Sequence, residues 1–334
     1  MRVEQLRGGW VEAVHDVHVA VVDATGRIVA RAGDADLVTF WRSAAKPFQA
    51  LPLVADGVME RFGLTDADLA LACASHSSEA GQVAGVRELL EKVGCTERDL
   101  LCGPHPPLSE RVALDYQTRG VRLTAVYSNC SGKHAGMLAL ARHHGWPTAF
   151  YTRLDHPVQQ RCLAEVARWT DVPAGEIRTG VDGCGVVCFG VPLRSMALAY
   201  ARLAIADFGL AMGDSTRTPA IRNPQSAIVR SMLRHPELIA GEGRPCTDLM
   251  RAHPGRVVAK VGAEGVYCAL LPHEGLGVAL KVADGHGVAS ALALAAVLEA
   301  LGLRPRPESL GPRPNVNTRG ETVGELRVIG GLEQ

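Results

Sequence analysis

Apolar residues gather into β-rich runs towards both ends of the chain and take up helical spacing in between. Residues 12–21 and 27–31 are such runs, and they flank Asp23-Ala24-Thr25-Gly26, so they predict a hairpin. A helix is expected from about residue 44 to 56, and Thr65-Asp66-Ala67-Asp68 opens another. Residues 79–93 carry apolar positions at helical period, and the same spacing recurs at 132–144, 156–169 and 193–206. Cys102-Gly103-Pro104-His105-Pro106-Pro107 reads as a rigid loop, and Gly183-Cys184-Gly185 sits between two β-rich stretches. After Arg256 the pattern changes to three strands, at 257–261, 266–271 and 277–282, followed by an Ala/Leu-rich helix over 288–301. Gly213-Asp214-Ser215-Thr216-Arg217-Thr218-Pro219 is read as a loop and not as a domain boundary.

This order predicts an α+β fold in which strands from both chain ends form one antiparallel sheet and a helical block, roughly 44–250, lies between them. The whole chain, 1–334, is expected to form a single catalytic unit. It is the outline of the serine β-lactamase and penicillin-binding fold.

Composition narrows the partners. The chain has 334 residues, 47% hydrophobic and 21% charged, enough for a substantial core. Its 35 basic and 35 acidic residues cancel, without a basic stripe, so neither a nucleic-acid backbone nor an anionic membrane is an expected partner. The first ten residues lack the apolar core of a signal peptide and no apolar run reaches membrane-spanning length. The nine cysteines, an odd and scattered set, fit reduced thiols in a cytoplasmic protein.

Ser43-Ala44-Ala45-Lys46 opens the first predicted helix. Residues three apart share a helix face, so a lysine whose pKa is lowered can serve as base to the serine hydroxyl. Ser–Lys is an established nucleophile–base pair; as plain structure, Ser43 is a helix cap. Lys260-Val261-Gly262 ends a late strand, where the same fold places a Lys-x-Gly, or where a lysine merely reaches solvent. In Asn129-Cys130-Ser131-Gly132-Lys133-His134, Cys130 and Lys133 are again three apart. The glycines of Gly180-Val181-Asp182-Gly183-Cys184-Gly185 allow close approach of backbone and thiol. Cys130 and Cys184 fit buried core thiols or a metal site completed by a nitrogen ligand, with His134 as one candidate. An amine ligand has to be neutral.

Together these motifs resemble the L-asparaginase II family of the Rhizobium type, over roughly residues 8–330. The resemblance rests on Arg42-Ser43-Ala44-Ala45-Lys46-Pro47-Phe48-Gln49, Cys73-Ala74-Ser75-His76-Ser77, Cys102-Gly103-Pro104-His105, the Asn129 and Gly180 motifs, and Lys260-Val261-Gly262-Ala263-Glu264-Gly265. It implies a β-lactamase-like fold, a homodimer, and hydrolysis of L-asparagine to L-aspartate and ammonia. It also implies two Ser–Lys pairs, Ser43 with Lys46 and Ser75 with Lys260, and a zinc ion held by Cys130, Lys133 and Cys184 with a water. Arg42, His134 and Asp182 match positions near the substrate. The competing readings are a penicillin-interactive acyl-transferase or β-lactamase, and a non-catalytic zinc- or amino-acid-binding protein on the same fold.

Overall fold

The structure is a computed structural model and describes residues 1–204, 223–311 and 313–334; the loop expected at 213–219 lies outside them. An eight-stranded antiparallel sheet gathers both chain ends. Its strands are β1 (Arg2–Arg7), β2 (Trp10–Asp23), β3 (Ile28–Ala32), β7 (Val258–Val261), β8 (Val266–Leu271), β9 (Leu276–Val282), β10 (Arg313–Val316) and β11 (Thr322–Ile329). The order is β10-β11-β1-β2-β9-β8-β7, with β3 paired to β2. The predicted β2–β3 hairpin is present, and Asp23 Oδ1 accepts the Thr25 N–H across its turn at 2.9 Å.

Val19, Ala20, Val21 and Val22 are consecutive and all buried, so the centre of β2 is covered on both faces. The helices that pack on it are Leu193–Leu203 and Gly287–Ala300. The first comes so close to β9 that a Cβ at Gly277 would lie 1.9 Å from the Ala197 carbonyl oxygen, which only glycine allows.

In sequence, the stretch between β3 and β7 is mostly helical. Its central helix, α1 (Lys46–Ala55), is buried from Lys46 to Val54 and follows a 3-10 turn, Arg42–Ala45. Around it pack α2 (Asp66–Cys73), α3 (Ser131–His144) and α4 (Pro157–Thr170). A capping box closes the start of α2: the Thr65 side chain accepts from the Asp68 N–H, and Asp68 accepts from the Thr65 N–H. A smaller sheet, absent from the sequence reading as a unit, joins β4 (Val38–Phe40), β6 (Val187–Pro192) and β5 (Arg178–Val181) in the order β4-β6-β5. All nine cysteines are unpaired and buried. Among the described residues no helix is long and apolar enough to cross a membrane.

Candidate active site

Three parts of the fold fix the turn that carries Ser43. Trp41 donates its backbone N–H to Phe189 of β6 (2.8 Å) and its indole N–H to Cys268 of β8 (3.3 Å), and Tyr200 donates its hydroxyl to the Ala44 carbonyl (2.8 Å). Trp41 stacks on Phe48 at 4.7 Å, with Tyr200 edge-on to both, so an aromatic wedge backs the turn. Arg42 takes a left-handed backbone, φ +53°, an uncommon conformation for a side chain of this size.

Ser75 follows α2 and is buried, its N–H donated to the Ile239 carbonyl at 2.8 Å. Its hydroxyl lies between two buried lysines, 2.8 Å from Lys260 Nζ and 3.0 Å from Lys46 Nζ. Burial and the neighbouring Lys46 charge push Lys260 down to about 7. Lys46 also reaches the carbonyls of Ala74 (2.5 Å) and Asn129 (3.3 Å), so three acceptors match the three N–H bonds of an ammonium. Lys46 thus bonds Ser75, whereas the Ser43 hydroxyl makes no hydrogen bond among the described residues.

The Ser43 side chain instead lines a cavity of about 210 Å³ together with Arg42, His105, Asn129, Asp182 and Cys184. Arg42 Nε donates to Asp182 Oδ1 at 2.9 Å. Burial raises the Asp182 pKa, but Lys133 and Arg42 outweigh it and hold the carboxylate below its ordinary value. His105 had no assigned role in the sequence reading. Its Nε2 lies 2.9 Å from both the backbone N and the side-chain Oδ1 of Asn129, and its Nδ1 lies 2.7 Å from the Pro106 carbonyl, so it fixes the cavity wall. The rigid Gly-Pro-His-Pro-Pro run was the signal for it. His76 was missed as a support: its Nε2 lies 2.8 Å from Ser131 Oγ and its Nδ1 accepts the Ser78 N–H, which anchors the segment after Ser75. Burial and the Lys46 charge hold His76 down at about 3, so it is neutral.

Cys130, Lys133 and Cys184 converge. A Cβ on Gly132 would lie 2.2 Å from the Leu71 carbonyl oxygen, so glycine there lets the first turn of α3 press on the end of α2. Lys133 Nζ lies 3.0 Å from Cys184 Sγ. A hydrogen bond from Cys130, then the Lys133 charge, outweigh burial and lower Cys184 to about 4, while the same bond and burial push Cys130 up to about 12. Burial acts against the Lys133 ammonium, yet the two cysteines more than offset it and its pKa is raised. Two sulfurs and an amine within such reach are a soft-to-borderline donor set, which fits zinc better than magnesium or calcium. Among the described residues no group of three His, Cys, Asp or Glu side chains is placed to hold a metal. His134, the other nitrogen candidate, is fully buried, with Nδ1 2.7 Å from the Tyr151 hydroxyl, and its side chain does not line the cavity. Its Nε2 is buried without a partner.

The family to which the chain belongs is one of amidohydrolases. The family is L-asparaginase II: its model matches residues 3–328, and the chain belongs to it. A search of curated proteins returns no match. Among solved structures, a β-lactamase from Mycobacterium bovis is similar at 16% identity and TM-score 0.41, over 85% of this chain and 94% of that one. Unliganded simvastatin synthase from Aspergillus terreus is similar at 12% identity and TM-score 0.36, over 82% and 90%. At these identities and scores, nothing those proteins act on carries over to this chain.

Proposed function

We propose that the protein hydrolyses the side-chain amide of L-asparagine to L-aspartate and ammonia, with Ser43 as nucleophile and the Lys46–Ser75–Lys260 array as its proton acceptor. The observation that carries this reading is a buried serine hydroxyl held between two lysines, one of them lowered to about 7, directly behind a small cavity that exposes a second serine. Ser43 is the hydroxyl that a ligand can reach, because Ser75 is only 2% exposed. As Ser43 attacks the amide carbon, the Ser75 proton passes to neutral Lys260, which becomes an ammonium, Lys46 gives a proton to Ser75, and the lone pair this frees on Lys46 takes the Ser43 proton. Return of that proton to the departing nitrogen releases ammonia, and water then cleaves the acyl-enzyme.

Cys130, Lys133 and Cys184 would hold zinc, which when bound supplies positive charge beside the cavity. Homodimeric assembly and a cytoplasmic location belong to the same proposal. Ammonia release from L-asparagine, run beside nitrocefin hydrolysis, tests it. Ammonia release without nitrocefin turnover is expected. Nitrocefin turnover alone would move the protein to the penicillin-interactive class, and neither activity would leave a binding protein.

A further inference from the structure

Glu264 occupies the turn between β7 and β8, in Gly262-Ala263-Glu264-Gly265, and Ala263 of that turn lines the Ser43 cavity. The backbone at Glu264 is left-handed, φ +56°, like that of Arg42, a cavity-lining residue with which its side chain is ion-paired. The turn is held firmly: Lys281 Nζ donates to the Glu264 carbonyl at 2.6 Å, and the Val282 N–H to the Gly265 carbonyl at 2.9 Å. The side chain is held loosely. Its Glu264 Oε1–Arg42 Nη1 separation is 3.8 Å, it is 69% exposed, and its carboxylate makes no hydrogen bond among the described residues.

The other carboxylate beside Arg42 is committed, since Asp182 Oδ1 accepts from both Arg42 Nε (2.9 Å) and the Gly183 N–H (2.8 Å). The cavity is therefore lined by one guanidinium with spare N–H groups, itself ion-paired to a carboxylate without a hydrogen-bonded partner among the described residues. The turn thus fixes Glu264 in an uncommon backbone while its carboxylate is held only by a long ion pair.

We propose that Glu264 reads the α-ammonium group of the substrate while Arg42 takes its α-carboxylate, so that the pair restricts the site to α-amino acids. This inference rests on the asparaginase reading above. The zwitterionic head group enters between the two side chains and replaces one long ion pair by two short, charge-assisted contacts.

L-aspartate and succinate differ only in the α-ammonium, so competition by each against L-asparagine isolates its contribution. The wild-type protein is expected to bind L-aspartate the more tightly. Glu264→Gln is expected to weaken L-aspartate roughly tenfold and to leave succinate within about twofold. Any effect of the substitution on Arg42 acts on both carboxylate ligands alike and cancels in the ratio. If Glu264→Gln changes both ligands equally, or neither, the assignment is overturned while the asparaginase reading stands. If the wild-type protein neither hydrolyses L-asparagine nor binds L-aspartate, both fall.

Discussion

Ser43 and Ser75 divide two requirements between them: one hydroxyl meets the cavity and the other meets the lysines. The first prediction follows. Ser43→Ala should reduce ammonia release by about a thousandfold or more, while stability to unfolding stays near wild type, because the caps of this turn and of α1 are Trp41 and Ala45 and the Ser43 hydroxyl caps neither. Activity above about a tenth of wild type would remove Ser43 as nucleophile. A second prediction concerns Cys130, Lys133 and Cys184, which should hold one zinc per chain by elemental analysis. Cys130→Ala should abolish that occupancy; a metal-free wild-type protein with full activity would take zinc out of the account. At this scale spacing alone was informative only where partners are close in sequence; the distant pairing of Ser75 with Lys260 came from the family resemblance. Ser43 and Lys46, or Cys130 and Lys133, are one turn apart and were legible. Lys260 meets Ser75 across 185 positions, and Arg42 meets Asp182 across 140, so only folding brings them together. That Lys46 bonds Ser75 and not Ser43 also had no local signal.

Elements were legible where burial is one-sided or complete. The β2–β3 hairpin, the three strands β7 to β9 and the helices around α1 were read close to their true bounds, because apolar period or unbroken apolar runs mark them. β1, β10 and β11 were not. β1 reads Arg-Val-Glu-Gln-Leu-Arg, with Glu4 buried inside the sheet. The register sets Glu4 opposite Arg327 of β11, whose Nη2 lies 2.9 Å from Glu4 Oε2, with Arg2 Nη2 2.8 Å from Oε1. A polar residue satisfied by a partner from the far chain end hides a strand from any apolar-period reading. The junction of α2 and α3 gives the element-scale prediction. Because a Cβ at Gly132 overlaps the Leu71 carbonyl, Gly132→Ala has to force the two helices apart. The expected cost is about 1–3 kcal/mol, read from the urea midpoint. Ammonia release should fall in the same variant, since α2 leads into Ser75 and α3 carries Cys130 and Lys133. A variant that unfolds at the wild-type midpoint would show that the helices yield without strain.

For the molecule as a whole, the lysine array trades stability for chemistry, and the trade has a defined sign with pH. The folded pKa of Lys260, about 7, lies below the 10.5 ordinary for lysine, because burial and Lys46 disfavour its charge. Below about pH 7 the lysine is charged in both folded and unfolded chains, and the folded state carries the full cost of that buried ammonium. Between about 7 and 10.5 the unfolded chain binds the extra proton, so stability rises with pH; above that window both states are neutral and the cost is gone. Lys260→Met keeps the side chain's length without the charge, so the variant should lack this rise. It loses two hydrogen bonds, to Ser75 Oγ and the Val261 carbonyl, a deficit that does not depend on pH in the same way. Comparing wild type with Lys260→Met cancels the other titrating groups to first order. The variant's stability relative to wild type should be greatest near pH 6 and fall as pH is raised towards 9.5. Over the same range wild-type ammonia release should climb through about pH 7 as Lys260 loses its proton, and the variant should stay inactive. Urea denaturation of both proteins across that range decides the matter: a stability gap that does not move with pH would mean Lys260 is not the buried, discharged amine on which the proton path depends.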